Sequence, residues 1–173
     1  MSGNFKQLLS GIRAFVFDVD GVLTDGSLIL LPGGEQVRTM NIRDGYALQL
    51  AVKKGYYVAV ITGGRSEEVR KRLVGLGITD VFLDSQVKRD SYEEFIASYD
   101  LKKENILYMG DDMPDLEVMS IVGVPACPKD AAAEIREISI YISEKKGGEG
   151  CVRDVIEQVM RLQGKWEPEN TSA

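Results

Sequence analysis

Short apolar, β-branched runs recur along the chain as IRAFVF, YYVAVIT, DVFL, ILYMG, VPAC and IYIS. Runs of that length, bounded by polar turns, predict buried strands. Between most of them the apolar positions follow a helical period, which predicts helices over 44–54, 66–75, 91–99, 115–120 and 131–138. Parallel strands need crossover helices, so this alternation predicts an α/β, Rossmann-like, doubly wound and mostly parallel sheet covered on both faces. In such sheets a ligand sits beyond the carboxyl ends of the strands, where the strand order reverses.

The strand ends carry the chain's most polar clusters. The first strand ends in Asp18 and Asp20, the next in Thr62, Gly63 and Arg65; the segment after DVFLD supplies Lys88, and ILYMGDDMPD supplies Asp111, Asp112 and Asp115. One segment breaks the alternation: SLILLPGGEQVRTMNI holds two short extended runs around Pro32, Gly33 and Gly34, a hairpin signal that predicts a flap over the strand ends. The stretch between Lys88 and Asp111 is used by one helix and one strand, so no cap domain fits there.

At 173 residues and 44% hydrophobic, the chain suits one domain, expected over 1–164 with a tail at 165–173 that is flexible or touches a neighbouring subunit. The net charge of −6, with no long basic block, argues against a nucleic-acid groove or a membrane-surface patch. No apolar stretch approaches the roughly 20 residues of a membrane span, and the start MSGNFKQLLSGIRAF lacks a signal-peptide run, which gives a cytoplasmic expectation. Having no histidine, the chain cannot run Ser-His-Asp or Cys-His catalysis or hold a His-ligated zinc. Cys127 and Cys151 form no CxxC pair, and Ala133 and Glu157 stand where a Cys-x5-Arg phosphate loop would need arginine. Both cysteines read as structural.

The chemistry therefore falls to the carboxylates. Asp18, Asp20 and the GDD aspartates would repel one another without a cation, and Mg²⁺ suits an open carboxylate site that must also accept phosphate oxygens. An EF-hand does not fit DVDG, because Gly21 stands at the fourth loop position rather than the sixth and Ile29 where the bidentate glutamate belongs. With a cation present, Asp18 can attack phosphorus and Asp20 can exchange acid and base roles. The Thr62 hydroxyl, the Gly63 amide and the Lys88 ammonium would hold the transferring group. Taken singly each feature has a structural alternative, GDDMPD being a good helix start and Lys88 an ordinary surface lysine. Their co-occurrence at successive strand ends favours the site.

DVDGVLTD, Thr62 in VITGGR, Lys88 and GDDMPD resemble the four motifs of the haloacid dehalogenase superfamily of phosphotransferases. The resemblance implies Asp18, Asp111 and the Asp20 carbonyl as magnesium ligands, with Asp112 and Asp115 supporting them. DVDGVLTDG, NIRDGYAL and GGEGCVRDVIEQVMRLQGKW are further similar to the small capless branch that holds 3-deoxy-D-manno-octulosonate 8-phosphate phosphatase. That likeness implies substrate contacts from Asn41, Ile42, Arg43, Asp44 and Gly45, and from Arg65 and Arg72. It also implies a homotetramer assembled through the hairpins and a place in lipopolysaccharide synthesis. The same chemistry on a nine-carbon sialic-type acid phosphate is the runner-up. A non-catalytic oligomerisation domain or a signalling receiver domain fits less well, because the chain has both Asp18 and Asp20 on the first strand.

Overall fold

The computed structural model describes residues 2–168. Strand β1 (Ala14–Phe17) is followed by the hairpin strands β2 (Ile29–Leu30) and β3 (Gln36–Val37), then β4 (Tyr57–Ile61), β5 (Asp80–Phe82), β6 (Ile106–Met109), β7 (Val124–Cys127) and β8 (Tyr141–Ile142). The helices are α1 (Ser2–Ser10), α2 (Ile42–Lys53), α3 (Glu67–Gly75), α4 (Lys88–Ser98), α5 (Leu116–Met119), α6 (Ala133–Ile138) and α7 (Cys151–Leu162). Six strands form one sheet in the order β5-β4-β1-β6-β7-β8, every pair parallel. β2 and β3 pair antiparallel, Ile29 opposite Val37, as a separate hairpin. The doubly wound sheet, the flap and the lack of a cap all match the expectation.

Alternation along the strands divides the core in two. Phe15, Phe17, Val58, Val60, Leu107 and Met109 face α2 and α7, while Val16, Ala59, Ile61 and Tyr108 face α4, α5 and α6. Each of the larger apolar side chains contributes about 1.5–3 kcal/mol by leaving water. α7 buries Cys151, Val152, Val155, Ile156, Val159 and Met160, the stripe of an amphipathic helix against a sheet. Both cysteines are free and buried.

The chain winds outward from β1 through β4 to β5, then returns to the other side of β1 as β6 before continuing to β7 and β8. The carboxyl ends of β1 and β6 therefore lie side by side, Phe17 paired with Met109, at the reversal of strand order.

Three local features differ from the sequence expectation. α1 has no counterpart in it, and α4 begins at Lys88 rather than at 91, because Arg89 and Asp90 are exposed and the apolar period starts only at Tyr92. The expected 115–120 helix is α5, Leu116–Met119, but an unanticipated 3-10 turn, Met113–Asp115, with Pro114 in it, precedes it. Beyond α7, Trp166 packs on the core and meets Tyr46 edge-on at 6.3 Å, so this part of the 165–173 tail lies against its own chain. Residues 169–173 of that tail lie outside the described residues.

Candidate active site

β1 runs directly into Asp18, whose N–H bonds the Met109 carbonyl at 3.1 Å and whose Oδ1 accepts the Val19 N–H at 2.7 Å. The ladder with β6 thus continues one residue past the strand and fixes the Asp18 backbone. The chain then turns through Val19–Leu23, anchored by buried Val19, Val22 and Leu23. Thr24 Oγ1 accepts the Gly21 and Gly26 N–H groups at 3.3 and 3.2 Å. Gly21 has φ +85°, and a Cβ there would collide with the Asp111 carboxylate, so the turn needs glycine. On the other side Gly147 lies against the Gly21 carbonyl too closely to admit a Cβ, and the Gly148 N–H bonds the Val22 carbonyl at 3.0 Å. The glycine-rich loop before α7 therefore clamps the turn that carries Asp20.

Lys88 sends its buried ammonium between Asp18 and Asp115, 2.8 Å from a carboxylate oxygen of each. Asp115 is fully buried. Its Oδ1 also accepts the Tyr108 hydroxyl at 2.7 Å, and its Oδ2 accepts the Asp111 and Asp112 N–H groups at 3.0 and 3.4 Å. With both oxygens shared between donors, Asp115 acts as a strut that aims Lys88 at Asp18 and shapes the GDD turn. Asp112 caps that turn, its carboxylate accepting the Met113 N–H at 2.8 Å.

Burial, and then the Asp115 charge, raise Asp18 well above the ordinary carboxylate range in spite of Lys88. The same two causes push Asp111 up to about 7. Burial draws the Lys88 ammonium down, but the Asp18 and Asp115 carboxylates outweigh it and leave the net value raised. Lys88 stays charged, and one ammonium faces three carboxylates.

Oxygens of Asp18, Asp111 and Asp115 lie within 4.8 Å of one another, a spacing that a metal ion can span. Because Asp115 is committed to four donors, the carboxylates left for a cation are Asp18 and Asp111. Hard oxygen donors beside an open cavity of about 470 Å³, lined among others by Asp18, Asp20, Thr62, Lys88 and Asp111, fit Mg²⁺. Thr62 is buried at the end of β4, its Oγ1 accepting the Gly64 N–H at 3.1 Å, and Gly63 lines the same cavity. Asp20 lies at the cavity edge.

The segment expected to touch substrate does not line this cavity. Asn41 is the N-cap of α2, accepting the Arg43 and Asp44 N–H groups at 2.8 and 3.3 Å and donating to the Gly148 carbonyl at 3.3 Å. Ile42 and Arg43 are exposed on the first turn of α2. Asp44 is 1% exposed and its Oδ1 accepts the Arg153 N–H of α7 at 2.8 Å, an interhelical contact on the core side of α2. Gly45 is likewise buried on α2, facing Arg72 and Leu76 rather than the cavity. Arg65 pairs with Asp84 at 2.9 Å and lines a neighbouring cavity of about 430 Å³ under the hairpin. Arg72 lines a third, of about 300 Å³. Both cavities share Arg38 with the hairpin wall.

Sequence reasoning missed Arg38, Tyr108, Ser85 and Gln86. The last two line the main cavity, and Tyr108 was hidden inside an apolar run. The one available signal was that a buried tyrosine hydroxyl needs a partner, which the nearby GDDMPD could supply.

A lysine-bridged pair of aspartates and a free third one, at the switch point of a parallel sheet, define an α/β phosphohydrolase. The haloacid dehalogenase-like hydrolase model matches residues 74–156. The 3-deoxy-D-manno-octulosonate 8-phosphate phosphatase KdsC of Yersinia pestis is 34% identical over 161 residues, 93% of this chain and 86% of the relative. The crystal structure of the Yersinia pestis phosphatase superposes with a TM-score of 0.92 at 33% identity, covering 95% of this chain and 89% of that one. That of the Moraxella catarrhalis phosphatase, in complex with a magnesium ion, a phosphate ion and a KDO molecule, gives 0.90 at 30% identity, covering 95% and 94%. The chain belongs to the haloacid dehalogenase-like hydrolases, in the capless branch of these phosphatases.

Proposed function

We propose that the protein is a magnesium-dependent phosphatase that hydrolyses 3-deoxy-D-manno-octulosonate 8-phosphate to the free sugar acid and phosphate. The observation that carries this reading is the position of Lys88, bridging Asp18 and Asp115 at 2.8 Å while Asp111 stands opposite without a cationic partner among the described residues. The similar phosphatase crystallised with magnesium, phosphate and KDO supports both metal and substrate.

Asp18 is the nucleophile, attacking phosphorus and taking the phosphoryl group as an aspartyl-phosphate. Asp18, Asp111 and the Asp20 carbonyl would hold Mg²⁺, with Asp112 and Asp115 behind them; the bound ion supplies charge neutralisation for the phosphate oxygens. Asp20, half-exposed at the cavity edge, gives a proton to the leaving alkoxide and later takes one from the water that attacks the phosphorylated Asp18. Lys88, the Thr62 hydroxyl and the Gly63 amide bind the transferring group's remaining oxygens. Asp115 positions Lys88.

The assembly is a homotetramer built through the hairpin, where Leu28, Ile29, Leu30, Leu31 and Val37 are all exposed. The exposed Ile42 and Arg43 reach substrate across that assembly rather than within one chain. The site of action is cytoplasmic, in the synthesis of the lipopolysaccharide sugar acid. The test is phosphate release from matched eight-carbon and nine-carbon keto sugar acid phosphates, with Mg²⁺ and with EDTA, using Asp18→Asn as the blank. Preference for the nine-carbon acid would overturn the substrate; no Mg²⁺-dependent release would overturn the enzyme.

A further inference from the structure

Arg38 follows β3 at the base of the hairpin, and its guanidinium forks both oxygens of Asp20, Nε to Oδ1 at 2.6 Å and Nη2 to Oδ2 at 3.1 Å. The Arg38 side chain is only 8% exposed, although the hairpin strands around it are open to solvent. Gly64 explains part of that burial: even an added Cβ on it would lie 3.4 Å from Arg38 Nη2, so the guanidinium sits between Asp20 and the backbone after Thr62. Asp20 itself is 39% exposed, and Arg38 is its sole ion-pair partner among the described residues.

We propose that Arg38 is a positioning residue acting through Asp20, which makes the hairpin part of the catalytic machinery. This deepens the phosphatase reading and rests on it. A half-exposed aspartate has several side-chain rotamers open to it, and a planar fork that engages both oxygens selects one. Proton transfer to a leaving oxygen depends steeply on where the carboxyl oxygen is held. Arg38 also walls the two cavities beneath the hairpin, so the residue that orients Asp20 is the one an occupant of those cavities would meet.

The test is a double-mutant cycle on Mg²⁺-loaded protein, with kcat and KM measured on the eight-carbon sugar acid phosphate and residual rates followed in single turnover. Arg38→Met keeps the chain length and removes the fork; it is expected to lower kcat at least about tenfold while moving KM little. Arg38→Lys keeps the charge and one contact and is expected to recover part of the loss. In an Asp20→Asn background, Arg38→Met should have no further effect, because a residue acting through Asp20 has nothing left to position. An unchanged kcat in Arg38→Met, or losses that multiply in the double variant, would overturn the proposal. If Asp18→Asn and Asp20→Asn themselves retained full turnover, the phosphatase reading would fall first. If they lose it and Arg38→Met does not, this inference alone is wrong. The hairpin stands apart from the six-stranded sheet, so Arg38→Met leaves the core intact, which an unchanged unfolding midpoint verifies.

Discussion

Asp44 is a buried carboxylate with one oxygen tied to the Arg153 N–H and the other, Oδ2, without a hydrogen-bond partner among the described residues. Burial raises it from 3.8 to about 6, against the opposing pull of Arg153. Its effect on stability is therefore the reverse of a paired surface aspartate. Below about pH 4 both the folded and the unfolded chain hold this proton. Between about pH 4 and 6 the unfolded chain releases it while the folded chain keeps it, so stability falls as pH rises, levelling off above about pH 6. At about 1.4 kcal/mol per pH unit, moving a carboxyl from 3.8 to about 6 corresponds to roughly 3 kcal/mol.

Asp44→Asn isolates that contribution, since the amide oxygen can keep the Arg153 N–H while the proton equilibrium disappears. Any cost of burying the new amide N–H₂ is independent of pH and cancels from the trend. Urea unfolding of both proteins in EDTA, from pH 4 to 7.5, should show the parent's advantage over the variant shrinking by roughly 2.5 kcal/mol, with the change centred near pH 5. A difference that stays constant to within about 0.5 kcal/mol would refute the reasoning and mean that Asp44 is ionised throughout or solvated in the folded state.

Other substitutions probe the site more directly. Lys88→Met strips two buried carboxylates of their ammonium, so urea unfolding should show a loss of about 3 kcal/mol, and phosphate release should vanish; equal stability would mean the network is dispensable. Gly21→Ala adds a Cβ that strikes the Asp111 carboxylate and strains a φ of +85°, so the Mg²⁺-induced rise in Tm should disappear along with turnover. EDTA should abolish phosphate release and Mg²⁺ should restore it, whereas metal-independent turnover would rule out the proposed use of Asp18 and Asp111. Leu30→Glu places a charge on a residue that is 74% exposed at the hairpin tip, and sedimentation velocity should show a smaller species than the parent; an unchanged sedimentation coefficient would remove the hairpin from the assembly.

What the sequence disclosed and what it hid divide along one physical line. Asp18, Thr62 and Asp111 were legible because strand period and length locate a parallel strand's carboxyl end, and the topology brings all such ends to one edge. Lys88 was legible as a residue but not as a position, since its helix begins with exposed side chains that show no apolar period. Asn41, Asp44 and Gly45 were legible as a motif, but the contacts that hold them in the fold were not. Which face of α2 each occupies is set by α7, which supplies the Arg153 N–H to Asp44, and by Gly148, which receives the Asn41 amide. Those partners lie over a hundred residues away in sequence, beyond any local pattern.

The same reasoning applies to the glycine-rich loop before α7, whose contacts no local pattern discloses. In the fold Gly147 is pressed on the Gly21 carbonyl, and Gly148 bonds Val22 and receives Asn41. A residue with a side chain at 147 would have to push the 19–24 turn toward Asp111, whose carboxylate already fills the space where a Gly21 Cβ would be. Backbone against backbone against carboxylate leaves little slack in that stack, so the position of Asp20 depends on glycines at both ends of the chain. Gly147→Ala should therefore reduce kcat although Gly147 touches no reacting atom, and normal turnover in that variant would show that the turn can yield.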